Sequence, residues 1–170
     1  KEFYQGTPET EVAYMGCRTR VATNVYCPEK SIYNVRGNLS FTSINLPRLA
    51  IKAKGDIDLF FELLENMLNL VYDQLNERFE VQCRKKVYNA PFLMGQGVWL
   101  DSDTLAWDDE QREVLKHGTL TAGFIGLAEC LKALIGEHQG ESERAQNLGL
   151  EIVGFMRRFM DRKAQEDHLN

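Results

Sequence analysis

The segment Met15-Gly16-Cys17-Arg18 carries the side chain best suited to covalent or redox chemistry in this sequence. A cysteine between Gly and Arg, in a loop just ahead of a strand, can hold its sulfur at an exposed tip. Access of that kind separates a reactive thiol from a buried, inert one. Free cysteine is also among the most buried residue types, so a core position is the competing reading of Cys17. No His or Asp stands beside it in sequence to complete a hydrolase-like triad, although partners can arrive from elsewhere in a fold. A second candidate is Gly123-Phe124-Ile125-Gly126, between a predicted strand and a predicted helix. N–H groups and the positive dipole end at a helix start suit an anion such as phosphate, and glycine permits close approach. Tight packing of helix on sheet accounts for the same glycines.

The third candidate is a strand with two unlike faces. Along Asn38–Ile44, Leu39 and Phe41 point one way, while Asn38, Ser40 and Thr42 point the other. A strand with one oily and one small-polar face suits a barrel whose outside meets helices and whose lumen holds a substrate. Other signals carry less. Gly95-Gln96-Gly97 begins a dinucleotide fingerprint, but Leu100 stands where the third glycine belongs and the strand follows the glycines. Cys17, Cys27, Cys83 and Cys130 are spaced by 10, 56 and 47 residues, without a CxxC pair. The three histidines form no HExxH, so no metal site is expected in this segment.

These residues need elements to hold them. Alternation from Arg18 to Tyr26 reads as a strand, and Pro28–Gly37 as a loop. Pro47 opens a short helix to about Lys54, stopped by Gly55. Asp56 is a candidate cap for a long helix over 57–86, with Phe60, Leu64, Met67, Val71, Leu75 and Phe79 recurring every three or four positions. Val98–Leu100 reads as a short strand and 108–116 as a short acidic helix. A strand over 119–123 leads into a helix over 127–135, and Ser142 can cap a last amphipathic helix. Leu148, Ile152, Phe155, Met156 and Phe159 share one face of that helix. Strands alternate with helices, so the class is α/β.

Composition bounds the rest. The sequence has 170 residues, 44% of them hydrophobic, the size and make-up of one ordinary domain, and no internal linker is evident. Twenty-five acids against 20 bases give a net charge of −5, which argues against a general nucleic-acid binder. No apolar run is long enough for a membrane span, and no secretory pattern opens the chain. Scattered, unpaired cysteines fit reduced thiols and a cytoplasmic protein. The first residue is Lys1, which fits a piece of something longer.

Three stretches together resemble one family. They are Ala13-Tyr14-Met15-Gly16-Cys17-Arg18-Thr19, Arg36-Gly37-Asn38-Leu39-Ser40-Phe41-Thr42-Ser43-Ile44-Asn45-Leu46-Pro47-Arg48, and Gly118-Thr119-Leu120-Thr121-Ala122-Gly123-Phe124-Ile125-Gly126-Leu127-Ala128-Glu129. In this order and spacing they resemble the central catalytic region of the oxygen-sensitive, anaerobic (class III) ribonucleoside-triphosphate reductases. Phe92-Leu93-Met94-Gly95-Gln96-Gly97 is similar to that family too, and the resemblance covers nearly all 170 residues.

The resemblance implies that residues 1–170 are one segment of the catalytic domain, part of a ten-stranded α/β barrel of the glycyl-radical-enzyme type with long amphipathic helices. It implies radical reduction of ribonucleoside triphosphates to deoxyribonucleoside triphosphates, with Cys17 at the position of the family's transient thiyl radical. That thiyl takes the 3′ hydrogen of the bound nucleotide and so eases loss of the 2′ hydroxyl as water. Asn38 matches the family's asparagine on the ribose hydroxyls; an amide both donates and accepts, which suits a diol. Ser40 and the segment Gly123, Phe124, Ile125 and Gly126 become expected substrate contacts.

Formate is the implied reductant, ATP and dNTPs the implied effectors, and a homodimer the implied parent assembly. The stable glycyl radical, installed by a radical-SAM activating enzyme using S-adenosylmethionine and an iron–sulfur cluster, belongs to a loop resembling Arg-Val-Cys-Gly-Tyr. No such string occurs in this sequence. The family's four-cysteine zinc site and N-terminal regulatory domain find no counterpart either, so this segment is expected to be inactive alone. Two other readings compete: a glycyl-radical enzyme of the pyruvate formate-lyase type, and a non-catalytic helical interaction module.

Overall fold

Asn45 ends one element and starts the next. It is the last residue of strand β1 (Asn38–Asn45), and its side chain accepts from the Arg48 N–H at 3.1 Å to cap helix α1 (Leu46–Ala53). Pro47 fits that first turn, where its missing N–H removes a donor that has no helical partner. Lys54 and Gly55 close the helix in the left-handed region, at φ 52° and 86°. Asp56 then accepts from the Leu59 N–H at 3.0 Å and caps α2 (Ile57–Cys83), as its sequence position suggests. The structure, a computed structural model, describes residues 21–170.

The 27 residues of α2 form one unbroken helix, about 40 Å long at 1.5 Å per residue. It stops at Cys83 rather than near residue 86, because the backbone of 85–87 finds partners elsewhere. Lys85 O accepts from the Gln111 N–H, and Val87 N–H donates to Asp109 O, both at 3.0 Å. Two 3-10 turns, Val87–Asn89 and Ser102–Thr104, precede the four-residue α3 (Arg112–Leu115), shorter than the sequence pattern suggested. Then come β2 (Thr119–Ile125), α4 (Leu127–Ile135) and α5 (Glu143–Asp167). Ser142 caps α5, its Oγ accepting from the Ala145 N–H at 3.1 Å. The strands pair as a two-stranded parallel sheet, so the fold is mixed α/β.

The expected strand at Val98–Leu100 is absent. Trp99 N–H bonds back to Leu93 O at 3.0 Å in a turn, and its indole N–H donates to Val114 O at 2.8 Å. The buried ring anchors a loop, and its polar edge dictates the local path. The described part of the first expected strand, residues 21–26, is likewise irregular.

Contacts divide the chain into two compact units. The first comprises 1–40, 77–120 and 168–170, of which the structure describes 21 onward; the second comprises 41–76 and 121–167. In the first, Phe79, Cys83, Val87, Met94, Trp99, Val114 and Leu115 form a buried cluster, with Leu39 and Leu120 packed against it. In the second, α1 packs on α4 and α4 on α5. Its core takes Phe60, Leu64, Leu68 and Leu75 from α2 with Ala145, Ile152 and Phe159 from α5. Phe61 and Phe155 meet edge to face at 5.3 Å. The apolar stripes of the two long helices are thus used up by the fold itself.

Candidate functional site

Residues 13–20, and with them Cys17, lie outside the described residues. Asn38 opens β1, where its Oδ1 lies 3.5 Å from the Thr119 hydroxyl at the start of β2. Thr119 N–H donates to Gly37 O at 3.0 Å, so the second and third resembling stretches meet as neighbouring strands. Close approach is enforced by Gly118: a Cβ there would lie 2.5 Å from Leu39 Cγ. The glycine here serves packing; α3 already ends at Leu115, capped by Lys116.

The face assignment of β1 is corrected by the structure. Ser40 Oγ accepts from Arg78 at 3.2 Å, and the Thr42 hydroxyl donates to Gln74 at 3.0 Å. Gln82 donates to Leu39 O at 3.4 Å. The polar side chains thus meet α2, while Phe41 is 67% exposed. The reason is a matched period. Gln74, Arg78 and Gln82 follow one another at i, i+4 and i+8, about 6 Å per step, close to the rise of about 6.7 Å for two strand residues. Serine and threonine satisfy their hydroxyls on this polar row. Ser40, expected as a substrate contact, therefore has its oxygen engaged by a guanidinium.

At the other end of β2, Gly123 lies beside β1, its Cβ position 3.3 Å from Ser43 Oγ. Phe124 and Ile125 belong to the strand rather than to a loop, and both are exposed. Gly126 precedes α4 at φ 73°, and a Cβ there would fall 2.5 Å from Pro47 Cγ. The first turn of α4 also carries Glu129, whose Oε2 is 3.4 Å from that same Cβ position. A carboxylate near a helix start satisfies part of the dipole that a phosphate would otherwise use.

A buried polar cluster in the first unit was not legible from sequence. Arg36, 4% exposed, donates to Ile32 O at 3.2 Å, to His117 O at 3.0 Å and to Thr23 O. Asn24 accepts from the Tyr26 N–H at 3.1 Å, which fixes its amide, so its Nδ2 donates to His117 Nδ1 at 3.1 Å. The imidazole proton then sits on Nε2, 3.4 Å from Asp101 Oδ2. Asn170 completes the cluster: it accepts from the Val25 N–H at 2.8 Å and donates to Asn24 Oδ1 and Lys116 O. This accounts for the irregular path of 21–26, whose backbone groups are satisfied by side chains instead of a strand ladder. The only sequence hint was the presence of Arg36 in the second resembling stretch.

Compared with known proteins, the whole chain, residues 1–170, matches the family model described as anaerobic ribonucleoside-triphosphate reductase. The chain belongs to that family. It is 34% identical over 155 residues to the anaerobic ribonucleoside-triphosphate reductase of Salmonella typhimurium, covering 89% of this chain and 22% of that protein. The Escherichia coli enzyme of the same name gives the same identity and coverage. That of Enterobacteria phage T4 is 29% identical over 135 residues, or 76% of this chain and 22% of its own. The chain thus spans about a fifth of the length of these relatives of the reductase family.

Within this reductase-family chain, the remaining cysteines divide by burial. Desolvation pushes the Cys83 thiol up to about 11 and the Cys130 thiol up to about 12, which keeps both protonated and inert. Cys27 is half-buried. Among the described residues no group of three or more His, Cys, Asp or Glu could hold a metal ion. No described helix is long and apolar enough to cross a membrane.

His117 predicts an acid sensitivity. Burial holds its pKa below the ordinary 6.5, with Lys116 and Arg36 acting in the same direction and Asp101 and Glu113 opposing. Protonation would also turn Nδ1 from acceptor to donor against the Asn24 amide. The unfolded chain takes the proton first, so stability holds above pH about 6.5 and falls as pH drops from there through the lower folded-state value. Replacing His117 by Gln should flatten denaturation midpoints across that window; an unchanged slope would mean that the folded and unfolded chains take up this proton alike.

Proposed function

We propose that this chain is part of the catalytic barrel of an enzyme that reduces ribonucleoside triphosphates to deoxyribonucleoside triphosphates under anaerobic conditions. The observation that carries the reading is the family match over residues 1–170. The shared name of the curated relatives favours a nucleotide reductase over a lyase of the pyruvate formate-lyase type. Burial of the long helices' apolar faces speaks against a helical interaction module. The ten-stranded barrel, to which β1 and β2 would contribute, is part of the same proposal.

In this reading Cys17 is the thiyl site. Its sulfur radical takes the 3′ hydrogen, leaving a Cys17 S–H and a carbon radical on the sugar, and the 2′ hydroxyl departs as water. Asn38 binds the ribose hydroxyls through its amide, and Thr119 beside it limits the rotation of that amide. Formate supplies two electrons and one hydrogen and leaves as carbon dioxide, a proton completes the departing water, and the hydrogen on Cys17 returns to the 3′ carbon. A glycyl radical supplied by another part of the enzyme generates the thiyl; radical-SAM activation, nucleotide effectors, a homodimer and a cytoplasmic setting complete the proposal. Taken alone, residues 1–170 are proposed to be inactive. The direct test is Cys17→Ser in the complete enzyme.

The glycine segment enters as the proposed triphosphate contact, through backbone N–H groups of Gly123, Phe124, Ile125 and Gly126 and the start of α4. Ser40, bonded to Arg78, keeps only an indirect part. Glu129 gives the cleaner test, since it touches the helix start without being required by the backbone. If phosphate binds there, Glu129→Gln should lower the substrate KM about threefold to tenfold, the removal of a like charge being worth roughly 0.7–1.4 kcal/mol. An unchanged KM would leave these glycines with packing alone.

A further inference from the structure

We propose that His117 is an acid-operated latch: neutral, it holds the Asn24 amide and with it residues 24–26, and protonated, it turns into the cavity beside it and lets them go. The latch stands apart from the reductase reading, because every residue it uses belongs to the first unit. His117 and Asn24 are 5% and 1% exposed, so neither can turn to water while the latch is closed. Asn24 Nδ2 donates to the imidazole Nδ1 at 3.1 Å, and Asn24 Oδ1 accepts from the Tyr26 N–H at 3.1 Å and from Asn170 Nδ2 at 3.2 Å. A proton on Nδ1 makes that ring nitrogen a donor and sets it against the Asn24 NH2 group. Flipping the amide does not repair this, because its NH2 group would then face two donors, the Tyr26 N–H and the Asn170 amide. Asn170 cannot flip in turn: its Oδ1 accepts from the Val25 N–H at 2.8 Å, and its Nδ2 also donates to Lys116 O at 2.9 Å. No orientation of the two amides satisfies a charged imidazole in this place, and a buried donor without an acceptor is costly.

The first unit also holds a place for the charged ring. A cavity of about 410 Å³ opens beside it, lined by Tyr26, Asp101, Glu113 and Lys116 as well as by His117. Asp101 Oδ2 already lies 3.4 Å from Nε2, on a side chain that is 60% exposed. Of the charged groups around the ring, Asp101 and Glu113 favour its protonation, while Lys116 and Arg36 oppose it together with burial. Lys116 is paired with Glu113 at 2.7 Å and lies 5.4 Å over the Tyr26 ring, which leaves Asp101 as the main acceptor. Arg36 donates to His117 O at 3.0 Å and keeps the backbone in place while the side chain turns. Turning outward relieves the burial and gains Asp101, so the open position binds the proton more tightly than the closed one. The latch therefore opens as pH falls below about 6.5, by at most about tenfold per pH unit for one proton. His168 lies against the Tyr26 ring, with centroids 4.8 Å apart, and is a second imidazole in the same neighbourhood, so His117 has to be changed on its own.

Hydrogen exchange of the complete enzyme, with each rate divided by its intrinsic chemical rate at the same pH, reads the latch at the amides of Val25 and Tyr26. Between about pH 7.5 and about pH 5.5 these two amides should lose protection at least about fivefold, while the amides of α2 keep theirs within about twofold. His117→Gln takes up no proton and can still accept from Asn24 through its amide oxygen, so the loss should shrink to within about twofold. Asp101→Asn suits the left-handed backbone at that position, φ 61°, and removes the charge that receives the ring. Its loss at the acid pH should be smaller than wild type by at least about threefold, and it carries the test if His117→Gln does not accumulate as folded enzyme. Unchanged protection of Val25 and Tyr26 in the wild type would overturn the proposal, as would an equal loss in either variant. A loss that extends to α2 would overturn it too, by marking general acid unfolding in place of a latch.

Discussion

Cys17→Ser in the complete enzyme should abolish deoxynucleotide formation, by more than about a thousandfold, while the glycyl radical still forms. The thousandfold figure corresponds to about 4 kcal/mol on the barrier. An S–H bond and an activated sugar C–H bond are close in strength, so hydrogen passes either way with little bias. A serine O–H bond is stronger than both by far more than 4 kcal/mol, so the relay cannot be set up on that oxygen. Serine is otherwise nearly isosteric, which confines the change to chemistry. Product analysis reads turnover, and the paramagnetic signal of the glycyl radical reads activation in the same sample. Even a few per cent of wild-type turnover with the radical present would sink the assignment of Cys17. Loss of the radical itself would shift the defect to activation and away from the hydrogen relay.

Much of the frame that surrounds these residues was legible in the sequence, and for local reasons. Asp56 and Ser142 act as caps because a short side-chain oxygen at a helix start has N–H groups within reach, whatever the tertiary context. The long stripe of Phe60, Leu64, Val71 and Leu75 declared α2 by its period alone. Where the reading went astray, side chains from distant positions supplied the missing partners. Alternation at 18–26 suggested a strand, yet the described backbone of 21–26 bonds to Arg36, Asn170 and Asn24. Val98-Trp99-Leu100 has strand-forming residues, but a buried indole with one N–H to satisfy bends the chain.

The candidate site shows the same division. The type and spacing of Cys17, Asn38 and the glycines could be read directly, because they carry a family pattern. Which way β1 turns its faces could not. A two-faced strand tells which residues share a side, and only the partner decides which side is covered. Here α2 offers Gln74, Arg78 and Gln82 along one row, and polar met polar. That row was present in the sequence at the right period, and pairing it with Thr42 and Ser40 was the step that alternation alone could not supply.

Gly126→Val should destabilise the second unit by roughly 2–6 kcal/mol, and two separable effects contribute. The backbone at Gly126 has φ 73°, a left-handed conformation that costs a β-branched residue about 1–3 kcal/mol. A Cβ there would also lie 2.5 Å from Pro47 Cγ and 2.8 Å from Pro47 Cδ. Overpacking of that kind adds roughly 1–3 kcal/mol. Pro47 cannot easily yield, since it sits in the first turn of α1, which is packed on α4. Hydrogen exchange of the α4 amides would give the local cost without requiring the whole protein to melt in one step. Gly126→Asn should cost less than valine, because asparagine tolerates the left-handed region, yet it keeps the Cβ overlap. Pro47→Ala in the Gly126→Val background removes the two overlapping carbons and should recover about 1 kcal/mol beyond additivity. Strict additivity would mean that Pro47 is not the obstacle and that φ alone demands glycine. A raised KM in Gly126→Val is therefore ambiguous by itself, because a displaced α4 would move any phosphate donor with it. Only if the double variant regains stability and still binds the nucleotide weakly do the N–H groups at this turn serve the substrate as well as the fold.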